Sequence, residues 1–107
     1  MDDVGTMVFD EVDSGIGGAV AEVVGKKLRR LGGKRQVLCV THLPQVAAQA
    51  HAHLRVVKSA DSNATTTAIE TLDASARRDE IARMLGGVKI TRETLAHAEQ
   101  MLASAEA

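Results

Sequence analysis

Asp10 and Glu11 stand side by side where the apolar run Met7-Val8-Phe9 stops, and Val12-Asp13-Ser14 leads from them into the turn Gly15-Ile16-Gly17-Gly18. Adjacent carboxylates at a strand end can divide labour. One holds a hard divalent cation through oxygen, and the other orients or deprotonates a water. That is the layout of nucleotide hydrolysis, although a strand ending in solvated acids uses the same residue types. His42 follows a second apolar run, Gln36-Val37-Leu38-Cys39-Val40-Thr41. A lone histidine is more often a structural hydrogen-bonding group than a catalytic one. Its position argues for a site here, because residues that follow two parallel strands emerge on the same edge of the sheet, with room for a phosphate between them.

The elements that must position these residues follow from hydrophobic spacing. Met7, Val8 and Phe9 read as a short strand buried on both faces, and open α/β sheets place their ligands at the carboxyl ends of such strands. Val20, Val23, Val24, Leu28 and Leu31 recur at helical spacing from about Gly18 to the stop at Gly32-Gly33. Lys26, Lys27, Arg29 and Arg30 crowd the last turns of that helix, where cations complement its negative end. With Lys34 and Arg35 they read as a solvated capping face, since no aromatic residue is interleaved to stack bases. A helix between two apolar runs predicts a βαβ crossover and a parallel pairing. Pro44 suits the first turn of a short helix over 45–50. Runs 54–58 and 65–72 predict an antiparallel hairpin, and Ile81, Met84 and Leu85, then Leu95, Ala98, Met101 and Leu102, predict two closing helices. The expected fold is α/β, one domain over residues 1–107, with a mainly parallel sheet, a β-hairpin and C-terminal helices.

Composition limits what this unit does. Of its 107 residues 45% are hydrophobic but only Phe9 is aromatic, so the core is built from Val, Leu, Ile, Ala and Met and modest stability is expected. A formal charge of −1 gives no global case for nucleic acid or for an anionic membrane. The single cysteine, Cys39, excludes an internal disulfide and reads as a structural thiol within a strand. His51 and His53 lie without any zinc-type spacing around them. The absence of a long apolar run or a leader pattern predicts a soluble, cytoplasmic chain with no membrane partner.

The segment from Phe9 to Gly18 resembles the Walker B strand and D-loop of ABC-type ATPase heads in the SMC-like group. Together with Val40-Thr41-His42-Leu43-Pro44-Gln45-Val46-Ala47, Ala82-Arg83-Met84-Leu85-Gly86-Gly87 and Thr91-Arg92-Glu93-Thr94-Leu95-Ala96, it makes nearly the whole chain resemble the RecN family of bacterial DNA repair proteins. The resemblance implies part of a P-loop NTPase fold. It implies that Asp10 helps hold Mg²⁺ through water, that Glu11 polarises the attacking water, and that His42 contacts that water and the γ-phosphate. It further implies that Asp13, Ser14 and Gly15 form the D-loop that reaches across a dimer of heads.

No G-x-x-x-x-G-K-[ST] sequence is present, so the loop that cradles the phosphates is missing, as are the signature motif and glutamine loop. The expectation is therefore the carboxyl-terminal portion of a head carrying Walker B, D-loop and H-loop, without Walker A. Such a portion is expected to be inactive alone and to leave a sheet edge exposed. ATP and Mg²⁺ would be cofactors only in the complete head. The implied partners are the amino-terminal head portion, a second head, and DNA in the full-length protein, which would be nucleoid-associated. A non-enzymatic module that docks onto an intact head is the alternative. A receiver-like phosphoacceptor domain using Asp10 ranks below both, because it needs more regularly alternating strands and helices.

Overall fold

The computed structural model describes residues 5–10, 15–61, 64–86 and 89–106. Eight elements follow in the order β1 (Thr6–Asp10), α1 (Gly18–Gly32), β2 (Gln36–Val40), α2 (Pro44–Ala47), β3 (Leu54–Ala60), β4 (Thr65–Thr71), α3 (Ala74–Gly86) and α4 (Arg92–Glu106). β1 and β2 pair in parallel with Thr6 opposite Gln36 and Asp10 opposite Val40. β3 and β4 form a separate antiparallel hairpin, registered from Leu54 opposite Thr71 to Ala60 opposite Thr65. The α/β class, the parallel pair, the hairpin and the closing helices are thus as the sequence predicts.

Among the described residues, three of the four helix starts have a local cause. Leu43 opens α2 with Pro44 in its first turn, where the missing N–H of proline costs nothing. The Asp73 carboxylate accepts the Ala76 amide at 2.8 Å and starts α3. Thr91 and Thr94 cap α4 reciprocally, each hydroxyl accepting the other's backbone N–H, at 3.2 and 2.9 Å. This is a capping box with threonine in the usual Glu/Gln place.

The core lies between α2, α3 and α4 rather than on the parallel sheet. Ala47, Ala48, Ile81, Ala82 and Ala98 are buried, with Met84, Leu85, Leu95, Met101 and Leu102 packed around them. α1 joins this layer through a face of small residues. Ala21 and Gly25 are its buried positions, and a Cβ on Gly25 would stand 3.0 Å from the Gln45 carbonyl oxygen and 3.2 Å from Val46 Cα.

Two expectations about burial are corrected. β1 is not covered on both faces: Val8 is 65% exposed, as is its neighbour Leu38 at 47%, while Met7 and Phe9 are half-buried. Alternation puts Val8, Leu38 and Val40 on one face of a two-stranded sheet that no described element covers. The predicted α1 stripe is only partly buried: Val24 and Leu28 are half-buried, whereas Val20, Val23 and Leu31 are exposed. The Ala21–Gly25 face wins the contact with α2 because small residues let the two backbones approach, and Val20, Val23 and Leu31 are left exposed.

The whole chain exposes 7514 Å², roughly a third more than the ~5,700 Å² of a compact protein of its mass. Its radius of gyration is 14.9 Å, against about 13 Å for a compact domain of this length. The surplus is about twice the ~800 Å² that one partner buries in a standard protein interface.

Candidate functional site

Parallel register brings the two sequence-predicted groups to one edge. Asp10 is the last residue of β1 and lies level with Val40, the last residue of β2. His42 comes two residues beyond Val40 and is exposed, as Asp10 is. The turn between is held locally: the Leu43 amide donates to Thr41 Oγ1 at 3.0 Å, and the Val46 and Ala47 amides return to the Leu43 carbonyl at 3.1 Å. Residue 42 is therefore fixed between a paired strand and a helix start. Glu11, Asp13 and Ser14, the remaining predicted side chains of the site, lie outside the described residues.

Gly15 is described and has φ +78°. That left-handed backbone favours glycine, because a Cβ there meets the following carbonyl at a cost of roughly 1–2 kcal/mol. The chain then enters α1 at Gly18, against which Gln45 of α2 packs: a Cβ on Gly18 would meet Gln45 Nε2 at 3.2 Å. The segments that leave β1 and β2 thus touch each other just behind the edge that carries Asp10 and His42. Gln45 Oε1 is buried at this contact with no hydrogen-bond partner among the described residues.

α2 is only one turn long, so its carbonyls need partners from elsewhere. Arg77 of α3 donates from Nη2 to the carbonyl oxygens of Ala47, Ala48 and Ala50 at 3.2, 3.2 and 2.6 Å. Arg29 of α1 donates from Nη1 to the Gln49 carbonyl at 2.7 Å. Burial and the neighbouring Arg29 lower the Arg77 pKa, with Glu106 opposing them. Sequence reading missed this clamp, and no local pattern marks Arg77. Gly25 did carry a signal, since an isolated glycine inside a helical pattern points to close backbone approach.

Among the described residues no group of three or more His, Cys, Asp or Glu is placed to hold a metal ion. An exposed carboxylate at a strand end, such as Asp10, suits Mg²⁺, which keeps several waters and takes one or two carboxylates plus substrate phosphates rather than an all-protein cage. No helix among the described residues is long and apolar enough to cross a membrane.

No family model matches the chain. A solved structure reported under "Structural biochemistry of ATP-driven dimerization and DNA stimulated activation of SMC ATPases" superposes with TM-score 0.59 and 13% identity, covering 79% of this chain and 50% of that one. The fold is accordingly that of part of an SMC-type ATPase head. Sequence comparison then specifies the family. DNA repair protein RecN of Xylella fastidiosa (strain Temecula1) is 61% identical over 102 residues, 95% of this chain and 18% of that protein. RecN of Vibrio cholerae is 52% identical over 103 residues, 96% of this chain and 19% of that protein. RecN of Bacillus subtilis is 42% identical over 104 residues, 97% and 18% respectively. The chain belongs to the RecN family and corresponds to the carboxyl-terminal part of its ATPase head. It spans less than a fifth of the length of these relatives.

Proposed function

We propose that this chain supplies one half of a nucleotide site in a DNA double-strand-break repair ATPase, and that it neither binds ATP tightly nor hydrolyses it until the upstream P-loop half is present. The observation that carries this reading is the parallel register that sets Asp10 level with Val40, so that His42 emerges on the same edge. In the complete head Mg²⁺, when bound, neutralises phosphate charge as it builds. Asp10 would help to hold the ion. Glu11 orients and polarises the attacking water, and His42 donates to the γ-phosphate oxygens while steadying that water. Asp13, Ser14 and Gly15 face a second head and couple the two sites. The same reading places the protein in the cytoplasm, on the nucleoid in its full-length form.

The uncovered Val8, Leu38 and Val40 face favours a second reading, in which the chain docks on an intact head without hydrolysing anything. Calorimetry with an ATP analogue and Mg²⁺ separates the two, on the chain alone and mixed with a separately produced P-loop portion. Binding only in the mixture, with nucleotide trapped by Glu11→Gln, is the expected result. No binding in a mixture shown to assemble would leave docking as the function. Turnover by the chain alone, abolished by Glu11→Gln, would refute the half-site assignment.

A further inference from the structure

A concavity lies along the carboxyl-terminal half of α1. The helix is 15 residues long, so its two ends stand roughly 22 Å apart, and none of the cleft's lining belongs to the Asp10–His42 edge. The cleft has a volume of about 510 Å³ and is lined by Lys26, Arg29, Arg30, His51, Gln49 and Ser104, with Gly33 and Ala105 completing it. None of these lining residues is acidic. Lys26, Arg29, Arg30 and Gly33 follow the spacing that stacks side chains on one helix face, and His51 rests against Gly32, whose Cβ would meet its ring at 3.4 Å.

Compensation of helix ends accounts for only part of this charge. The carboxyl ends of α1 and α4 both border the cleft and carry about half a negative charge each. Against three full cations that leaves about two positive charges. Lys26 also meets Glu22 at 3.3 Å, with both side chains more than half exposed, a pairing that solvent makes weak. Arg29 is not a loose surface chain, because its bond to the Gln49 carbonyl at 2.7 Å fixes the guanidinium at the cleft wall. Just behind it Arg77 binds the carbonyls of the same α2 segment, and the two arginines repel each other. Glu106 acts on Arg77 with the opposite sign; with Arg77 counted beside Lys26, Arg29 and Arg30, the region still holds more positive charge than its own groups neutralise.

We propose that this cleft is a phosphate-backbone site for duplex nucleic acid, in which Lys26, Arg29 and Arg30 contact phosphodiester oxygens and the His51 ring N–H adds a donor. The choice of a nucleic acid over another polyanion rests on the repair reading above; the cleft itself does not depend on it. With no aromatic side chain in the lining there is no platform for base stacking, so the site reads backbone charge and not sequence. A net charge of −1 over the chain confines the contact to this patch.

Fluorescence anisotropy of a short labelled duplex tests it, on the full chain over a series of salt concentrations. Binding is expected to be weak and steep in salt, with a log–log slope of about −2 to −3 for up to three neutralised phosphates. Lys26→Glu and Arg30→Glu should each weaken binding severalfold and flatten the slope by about 1, with circular dichroism confirming that the fold is kept. Lys27→Glu makes the same charge change on the same helix outside the cleft lining and should leave the slope unchanged. Equal effects from all three variants would overturn the proposal in favour of non-specific charge, as would no binding by the parent chain. Displacement of the duplex by inorganic phosphate or ATP at matched ionic strength would reassign the cleft to a small anion. Lys26→Glu and Arg30→Glu should not alter ATP-analogue binding in the two-part mixture, so failure of this site and failure of the nucleotide half-site are told apart.

Discussion

Arg77 Nη2 lies 2.6 Å from the carbonyl oxygen of Ala50, and the same nitrogen reaches the carbonyls of Ala47 and Ala48. One arginine from α3 thereby closes the end of the helix that begins just after His42. Arg77→Met keeps much of the stem's packing but removes the donors, leaving carbonyls between α2 and α3 without a partner. A charged hydrogen bond is worth about 1.5–3 kcal/mol, so the variant should lose about 2 kcal/mol in urea denaturation. A loss below about 0.5 kcal/mol would mean that water replaces the guanidinium and that α2 does not depend on it.

Gly25→Ala separates helix propensity from packing. Alanine in a helix interior gains up to about 1 kcal/mol over glycine. At Gly25, though, the new methyl group would stand 2.9 Å from Gln49 Cγ and 3.0 Å from the Gln45 carbonyl oxygen. Overpacking of this kind costs about 1–3 kcal/mol, so net destabilisation is expected. Gly32→Ala, whose methyl group would meet only the His51 ring at 3.4 Å, should be neutral or stabilising. Thermal melts of the two variants should move in opposite directions.

Two titrations predict the acid side of the stability curve. Burial first, then the charges of Arg77 and Arg55, lower the His53 pKa below its usual 6.5, with Glu80 opposing them. The folded state binds this proton less readily than the unfolded chain, so stability is full above pH 6.5 and falls as pH drops toward the folded-state pKa. Glu80 behaves as a depressed carboxylate, held down by its hydrogen bonds from Arg83 and then by the Arg83 and Arg55 charges, against the cost of burial. Its contribution is present above about pH 4.5 and is lost as pH falls through the lowered value. His53→Gln should flatten the upper part of the acid limb and Glu80→Gln the lower part. Chemical denaturation at several pH values distinguishes the two windows, and an unchanged limb in either variant would remove that group from the account.

The elements were legible because their signals are local. Alternation, helical hydrophobic spacing and Pro44 each act within a few residues. The edge with Asp10 and His42 was legible too, since parallel pairing needs only two apolar runs and a helix between them. Which face of α1 is buried was not. Val20, Val23 and Leu31 have the stronger hydrophobic pattern, yet the contact is made by Ala21 and Gly25, where backbone proximity outweighs side-chain area. Burial of Val8 was misjudged for a related reason: an apolar run records the surroundings a strand is built for, and this strand has one face uncovered. Arg77 left no trace because its partners are backbone carbonyls, which every residue has.

That uncovered face gives the last prediction. Val8 and Leu38 are paired in register and are 65% and 47% exposed, with Val40 beside them at 53%. If the face is built to meet the upstream half of the head, its apolar side chains contribute little to the chain alone and much to assembly. Leu38→Thr should leave urea stability of the isolated chain within about 0.5 kcal/mol, as surface substitutions do. The same change should weaken association with a P-loop portion by about tenfold or more, because burying a leucine side chain is worth about 1.5–3 kcal/mol. Sedimentation of the mixture and denaturation of the chain alone read the two effects separately. A loss of several kcal/mol in the isolated chain would show that Leu38 is already covered, whereas unchanged association would show that the upstream half meets the chain on another surface.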